Sequence, residues 1–378
     1  MVEKDLGFLK NGQRLVVKIG SSTLTYSTGK LNLYQLERLV REIADLKHQG
    51  LEIILVTSGA VGAGMGKLGL EERPKNIPEK QALAAIGQGI LMHMYEKFFS
   101  EYDKTVAQVL LTREDFMNRG RYLNARNTLL TLLRLGVIPI INENDTVAFE
   151  EIKFGDNDTL AALVAGLVDA DLLVLLSDID GLYTKDPRQD ATAQLIKVVE
   201  ELTPEIIEFA GGAGTKLGSG GMMTKLQAAK IASNSGIPMM VINGSREGII
   251  REITQGANPG TLFMPREHRI NMRKTWIAVA SKANGRLYVD RGAEKALIEK
   301  GKSLLPSGIT KVEGNFKRGC VVKIIGPSHE IARGIVNYEA SEIEQIKGCQ
   351  SQEIEKILGH KDYDEVIHRD NLTLTLRV

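Results

Sequence analysis

Six largely apolar runs constrain this fold most, because a helical pattern separates each from the next. Leu15-Val16-Val17, Ile53-Ile54-Leu55-Val56, Val106-Ala107-Gln108-Val109-Leu110-Leu111, Ile138-Pro139-Ile140-Ile141, Leu172-Leu173-Val174-Leu175-Leu176 and Met239-Met240-Val241-Ile242 read as strands. Most are apolar throughout, as strands covered on both faces are. Between the first two, Leu33, Leu36, Leu39, Val40, Ile43 and Leu46 share one helical face, with Asn32 placed to cap its start and Gly50 to stop it. The alternation predicts an α/β fold, a mostly parallel sheet sandwiched by helices.

The pattern changes after Pro265. Arg266 to Lys274 is polar and basic and reads as a linker. From Trp276 the apolar segments shorten and glycine and proline punctuate them: Leu287-Tyr288-Val289-Asp290, Ser303-Leu304-Leu305-Pro306-Ser307-Gly308-Ile309, Cys320-Val321-Val322-Lys323-Ile324-Ile325 and Ile331-Ala332-Arg333-Gly334-Ile335-Val336. That is the pattern of a small β-barrel-like domain. The chain's 378 residues are enough for two domains. The expected boundaries are 1–265 for the large domain, 266–275 for the linker, 276–361 for the small domain and 362–378 for a C-terminal tail.

Lys+Arg number 48 and Asp+Glu 47, so whole-chain charge argues for neither a nucleic-acid nor a membrane partner. No apolar run approaches the roughly 20 residues of a membrane span. Met1-Val2-Glu3-Lys4-Asp5 is too polar for a signal peptide. Cys320 and Cys349 are the two cysteines, without a Cys-x-x-Cys, and the six histidines share no metal-ligand spacing. A reducing cytoplasm fits this usage.

Three short stretches rich in glycine and serine stand at strand ends, far apart in sequence. They are Lys18-Ile19-Gly20-Ser21-Ser22, Thr57-Ser58-Gly59-Ala60-Val61-Gly62-Ala63-Gly64 and Gly218-Ser219-Gly220-Gly221-Met222-Met223-Thr224-Lys225. Glycine lets backbone N–H groups approach an anion closely, and a helix start adds positive potential. Lys18 and Lys225 could grip a phosphoryl group from two sides, and phosphoryl transfer asks for positioning and charge neutralisation. The literal G-x-G-x-x-G at Gly64–Gly69 lies too far past its strand for a dinucleotide fingerprint. No G-x-x-x-x-G-K-[ST] and no G-x-S-x-G occurs.

Two acidic loops follow: Asn142-Glu143-Asn144-Asp145 and Gly155-Asp156-Asn157-Asp158-Thr159. They could bind a substrate ammonium, hold Mg²⁺ or orient the lysines. Helix capping alone would account for Asp156 or Asn157, but three aspartates and three asparagines exceed what capping needs. A third loop, Ser177-Asp178-Ile179-Asp180-Gly181-Leu182-Tyr183-Thr184-Lys185-Asp186-Pro187, follows the most apolar strand, where parallel sheets bind ligands.

These loops, with Gly220-Gly221-Met222-Met223-Thr224-Lys225, resemble the amino acid kinase family from about Leu15 to Met264. Gly301–Ile309 and Ile331–Gly334 resemble a PUA domain. Within the family, the likeness is to kinases that phosphorylate the γ-carboxylate of L-glutamate, the first step of proline biosynthesis. The resemblance implies that Lys18 and Lys225 neutralise the migrating phosphoryl group and that Asp158 holds both lysines. It implies glutamate binding by Ser58, Asp145 and Asn157. It implies ATP binding by Lys18, Ser177, Asp178, Ser219, Gly220, Gly221, Met222, Met223, Thr224 and Lys225, with Mg²⁺ bound mainly through ATP and no dedicated metal ligands. Ser219 stands where threonine is expected, and either supplies a hydroxyl. The family further suggests a homo-oligomer (dimer or tetramer), feedback inhibition by proline and a functional link to glutamate-5-semialdehyde dehydrogenase.

The residues agree with this reading. Asp145 offers the ammonium a charge partner, and the Ser58-Gly59-Ala60 backbone offers the α-carboxylate N–H donors. An N-acylated substrate would have no use for that aspartate. The alternatives are another carboxylate or carbamate kinase of the family and, from a different class, an RNA-binding or RNA-modifying protein acting through the PUA domain. Ser281 to Arg333 holds 11 Lys/Arg against 5 Asp/Glu, a modest basic bias.

Overall fold

β1 (Arg14–Ile19) forms because Leu15, Val17 and Ile19 alternate with Val16 and so offer apolar side chains to both faces. The computed structural model describes residues 14–26, 28, 30–72, 74, 76–148, 157–209, 221–266 and 283–375. They fall into two compact units, Met1–Arg269 and Ile270–Val378.

In the first unit β1 is joined by β2 (Glu52–Val56), β3 (Val106–Leu111), β4 (Ile138–Glu143), β5 (Leu172–Ser177), β6 (Val198–Val199), β7 (Met239–Asn243) and β8 (Thr261–Phe263). The order is β3-β4-β2-β1-β5-β7-β8-β6, and the five pairings from β3 to β7 are all parallel. β8 runs antiparallel to β7, and β6 parallel to β8, so the edge beyond β7 reverses. All six predicted strands are present. β6 and β8 were not read from sequence, since two or three residues are too few to show a period.

The Leu33–His48 helix begins at Asn32, whose side chain accepts from Gln35 N, and Gly50 follows its end at φ 95°, a left-handed conformation that glycine adopts without strain. Its stripe of Leu36, Leu39, Val40, Ile43 and Leu46 is buried against the sheet, each side chain contributing roughly 1.5–3 kcal/mol. Leu33, placed on the same stripe by its spacing, is 46% exposed at the first helical position. The Asn157–Leu167 helix is buried on every side from Leu160 to Leu167, between β1 and the Met222–Asn234 helix. No helix among the described residues is long and apolar enough to cross a membrane.

The second unit is a five-stranded mixed sheet, ordered β10-β9-β11-β12-β13. Its strands are β9 (Arg286–Val289), β10 (Ile309–Glu313), β11 (Val321–Ile325), β12 (Glu330–Ile335) and β13 (Leu372–Leu374). Leu304 N donates to Ile367 O and Val366 N to Leu304 O, both at 2.8 Å. These bonds tie the segment entering one edge strand to the segment entering the other. The sequence reading ends the small domain at 361, whereas β13, beyond that limit, pairs with β12 and buries Leu372. The expected tail therefore contributes Leu372–Leu374 to the sheet. Its short Leu-Thr-Leu run is legible only once β12 offers a free edge. The expected linker, apart from Arg266, lies outside the described residues.

Candidate active site

The carboxyl ends of β1, β2, β4 and β5 open onto one cavity of about 530 Å³, the edge of a parallel sheet where ligands are bound. Lys18, Gly20, Ser21 and Ser22 reach it from β1, Ser58 and Gly59 from β2, Asn142, Glu143 and Asp145 from β4, and Ser177 and Asp178 from β5. Asn157 and Lys225 complete it from two helices.

One end is ionic. Strand alternation sends Leu15, Val17 and Ile19 into the core on one side and Lys18 to the other, toward Asp158 on the Asn157–Leu167 helix. Lys18 Nζ lies 2.6 Å from Asp158 Oδ1, and Lys225 Nζ lies 3.2 Å from Oδ2. Thr224 Oγ1 donates to the same Oδ2 at 3.1 Å. Lys18 and Lys225 are each 5% exposed and Asp158 is 0%. Burial alone would raise the Asp158 pKa, but the two ammonium groups outweigh it and hold the carboxyl below its ordinary range. Both ammonium groups line the cavity wall, where they are placed to meet an anionic group of a ligand.

The helix starts tell the same story. The Leu33–His48, Ile77–Ser100 and Arg119–Arg134 helices are capped by the side chains of Asn32, Asn76 and Asn118. The helices Ser21–Leu24, Ala60–Leu68 and Met222–Asn234 open instead at Gly20, Gly59 and Gly221, with no side-chain cap. Gly59 has φ 96°, and a Cβ on Gly20 would stand 3.7 Å from Lys18 Nζ. A fourth glycine-started helix, Ile249–Thr254, shows what such an end attracts: the Glu42 carboxylate accepts from Ile250 N at 2.6 Å and Arg251 N at 2.9 Å. The ends at Gly20 and Gly59 face the cavity.

The other end of the cavity is held mainly by neutral groups. Asn157 Nδ2 donates to Thr57 O at 2.6 Å, Asn142 Oδ1 at 2.8 Å and Ser58 Oγ at 3.1 Å. Thr57 O can only accept, which fixes how the Asn157 amide is turned. Asn142 Nδ2 in turn donates to Gln88 Oε1 at 2.7 Å. Asp145, Lys80 and Pro74 also line the cavity.

Of the expected residues, Lys18, Ser58, Asp145, Asn157, Ser177, Asp178 and Lys225 therefore meet at one cavity, and Asp158 lies beneath it. Ser219 and Gly220 fall outside the described residues. Gly221, Met222 and Met223 lie on the first turn of their helix without lining the cavity, and Thr224 spends its hydroxyl on Asp158 and on Gly221 O. Asp178 is exposed and pairs with Arg188 at 3.2 Å. Sequence reasoning missed Lys80, Gln88 and the central place of Asn142. Lys80 and Gln88 belong to a long helix with no motif, and Asn142 was visible as part of an acidic loop without a role of its own. The G-x-G-x-x-G at Gly64–Gly69 is a packing device. A Cβ on Gly64 would lie 2.1 Å from Leu83 O, and Gly69 is a left-handed helix end.

The amino acid kinase family profile matches residues 13–243. The chain belongs to the amino acid kinase family. A PUA domain profile matches residues 285–358, covering β9 to β12. Relatives named glutamate 5-kinase align along nearly the whole amino acid kinase and PUA arrangement. That of Thermoanaerobacter sp. (strain X514) is 60% identical over 96% of this chain and 98% of its own length. That of Caldanaerobacter subterraneus subsp. tengcongensis is 61% identical over the same shares, and that of Moorella thermoacetica 58% over 96% and 97%.

Proposed function

We infer that this amino acid kinase transfers the γ-phosphoryl group of ATP to the γ-carboxylate of L-glutamate, giving an acyl phosphate and ADP, the first step of proline biosynthesis. The observation that carries the reading is the buried Lys18–Asp158–Lys225 triad, whose two ammonium groups line the cavity, beside two helix ends left uncapped by glycine. Relatives named glutamate 5-kinase supply the substrate.

In this reading a γ-carboxylate oxygen attacks the γ-phosphorus while the bond to the β-phosphate bridging oxygen breaks. The electron pair leaves with ADP, and no proton need move. Lys18 and Lys225 stabilise charge on the transferring oxygens, where preorganised donors act most strongly. Asp158 does not touch the phosphoryl group but keeps both ammonium groups aimed at it. Ser177, Asp178 and the Gly221 helix start serve the nucleotide, which arrives as its Mg²⁺ complex with part of its charge already neutralised. Among the described residues no group of three or more His, Cys, Asp or Glu could hold a metal on its own.

The acceptor's α-carboxylate is read onto the N–H groups of the Ser58-Gly59-Ala60 turn, and its ammonium onto Asp145 and Asn157. The NH₂ of Asn157 is committed to protein acceptors, which leaves Oδ1 as the atom to receive a donor. The RNA-binding alternative weakens at the side chains. Arg286, Lys295, Lys311, Arg318, Lys323 and Arg333 of the basic stretch are each paired with a carboxylate. A cytoplasmic location belongs to the same reading and is supported by two unpaired cysteines.

The test is incubation with ATP, Mg²⁺, hydroxylamine and a panel of amino and N-acetylated acids, assaying hydroxamate and ADP. Hydroxamate from glutamate alone is the expected outcome. Turnover of another carboxylate in preference to glutamate would reassign the substrate, and salt-sensitive RNA retention without any ADP formation would favour the RNA alternative.

A further inference from the structure

Gln88 stands outside the cavity wall yet is bonded to its floor. It lies on the Ile77–Ser100 helix, one residue after Gly87. A Cβ on Gly87 would come within 1.7 Å of Ala60 O and 2.5 Å of Gly64 N. Glycine there lets two helix backbones touch, and that contact brings Gln88 to the end of β4. Asn142, 2% exposed, donates through Nδ2 to Gln88 Oε1 at 2.7 Å. Its Oδ1 accepts from Glu143 N at 2.9 Å and from Asn157 Nδ2 at 2.8 Å. Seven residues along, and so on the same helix face, Tyr95 OH meets Thr57 Oγ1 at 2.9 Å. Thr57 O accepts from the same Asn157 Nδ2. One helix face thus grips the ends of β2 and β4, and both grips converge on Asn157.

Gln88 pays for this orientation. Its Nε2 is buried with no hydrogen-bond partner among the described residues, a costly state for an amide donor. Turning the amide over would set Nε2 against Asn142 Nδ2, donor against donor. The bond to Asn142 is what the arrangement keeps.

We propose that Gln88 is a positioning residue for the acceptor substrate, holding the Asn142 amide and through it the Asn157 amide that receives glutamate. The proposal rests on the glutamate reading given above. Without the Gln88 oxygen, Asn142 Nδ2 is a buried donor with no acceptor, and its side chain turns to find one. Asn157 then loses the partner that fixes its own amide. Asp158 follows Asn157 directly on its helix, but its carboxylate is held by Lys18, Lys225 and Thr224 rather than by the Asn142 amide, so phosphoryl transfer should be affected far less than glutamate binding.

The experiment is steady-state kinetics of the full-length chain with Gln88→Met, a near-isosteric change that removes the acceptor. Losing one buried acceptor predicts a rise of about tenfold in the glutamate KM, with kcat and the ATP KM little changed. The same substitution made on Asn142→Ala should add nothing, because the route through Asn142 is already cut. Gln88→Glu, which keeps an oxygen facing Asn142, should recover most of the affinity and serves as the folded reference should Gln88→Met prove unstable. An unmoved glutamate KM in Gln88→Met, or the same rise on the Asn142→Ala background, overturns the role of Gln88 alone. A wild-type chain that forms no ADP in response to glutamate overturns the function reading instead.

Discussion

At one end of the cavity Lys18, Asp158 and Lys225 form a buried ionic triad, while at the other Ser58, Asn142, Asn157 and Gln88 are joined by hydrogen bonds between neutral groups. Both are preorganised, but for different tasks. A migrating phosphoryl group carries spread charge and is met by charge, held still by a carboxylate that burial would otherwise neutralise. An amino acid must be told from its near relatives by where its donors and acceptors lie, and amides with fixed orientation do that without adding net charge. The ionic end should therefore govern kcat and the neutral end the glutamate KM.

The sharpest way to break this comparison is Asp158→Asn, which keeps the shape and removes the charge between two buried lysines. Breaking a buried ion pair from one side typically costs about 3–5 kcal/mol of stability, and kcat should fall about a thousandfold as both lysines lose their aim. Chemical denaturation and kcat at saturating substrates test it. The pH dependence has a definite sign. The folded pKa of Asp158 is depressed below its ordinary 3.8, so its contribution to stability is present above that value and is lost as pH falls through the lower folded pKa. Between pH 5 and 8 the wild-type kcat should show no titration of this group, and an acid limb in that range assigned to Asp158 would contradict the triad.

Next in size, Lys18→Met and Lys225→Met should each lower kcat about a hundredfold, the usual effect of removing one preorganised donor, with the glutamate KM little changed. A glutamate KM that rises with kcat preserved would reverse the assignment of the two ends. Asp145→Ala should do the opposite, raising the glutamate KM about thirtyfold or more while sparing the ATP KM, as expected for truncating one side of a charge pair. A raised ATP KM would place Asp145 on the nucleotide side. The smallest change is Gly59→Ala. Its φ of 96° makes a side chain strained there, at about 1–3 kcal/mol. The melting temperature should fall by a few degrees and the glutamate KM should rise with it. A melting temperature equal to wild type would mean that the turn relaxes without glycine.

Much of the fold was legible because its signals are local. Leu172 to Leu176 is apolar throughout and lies buried on both faces, and Asn32 and Gly50 mark the ends of a helix by their own chemistry. Leu372–Leu374 was not legible, since three residues become a strand only against β12. The site divides in the same way. Lys18, Ser58, Asp145 and Lys225 stood out by their company of glycine, serine and acidic residues. Gln88 sits in a helix without any such company, and its tie to Asn142 spans 54 positions.

The sequence by itself determined that strands alternate with helices, that the strand ends carry lysines, carboxylates and glycines, and that the chain resembles the amino acid kinases. Periodicity and composition are written residue by residue and need no partner to be read. Only the tertiary structure decided that Asp158 is fully buried between two lysines, that Gly20 and Gly59 open helices toward one cavity, and that Gly64 and Gly87 serve packing instead. The physical reason is that burial, hydrogen-bond satisfaction and a carboxyl's charge state depend on what lies across the fold, and distances of 3 Å between residues 67 or 140 positions apart are set by how the layers pack.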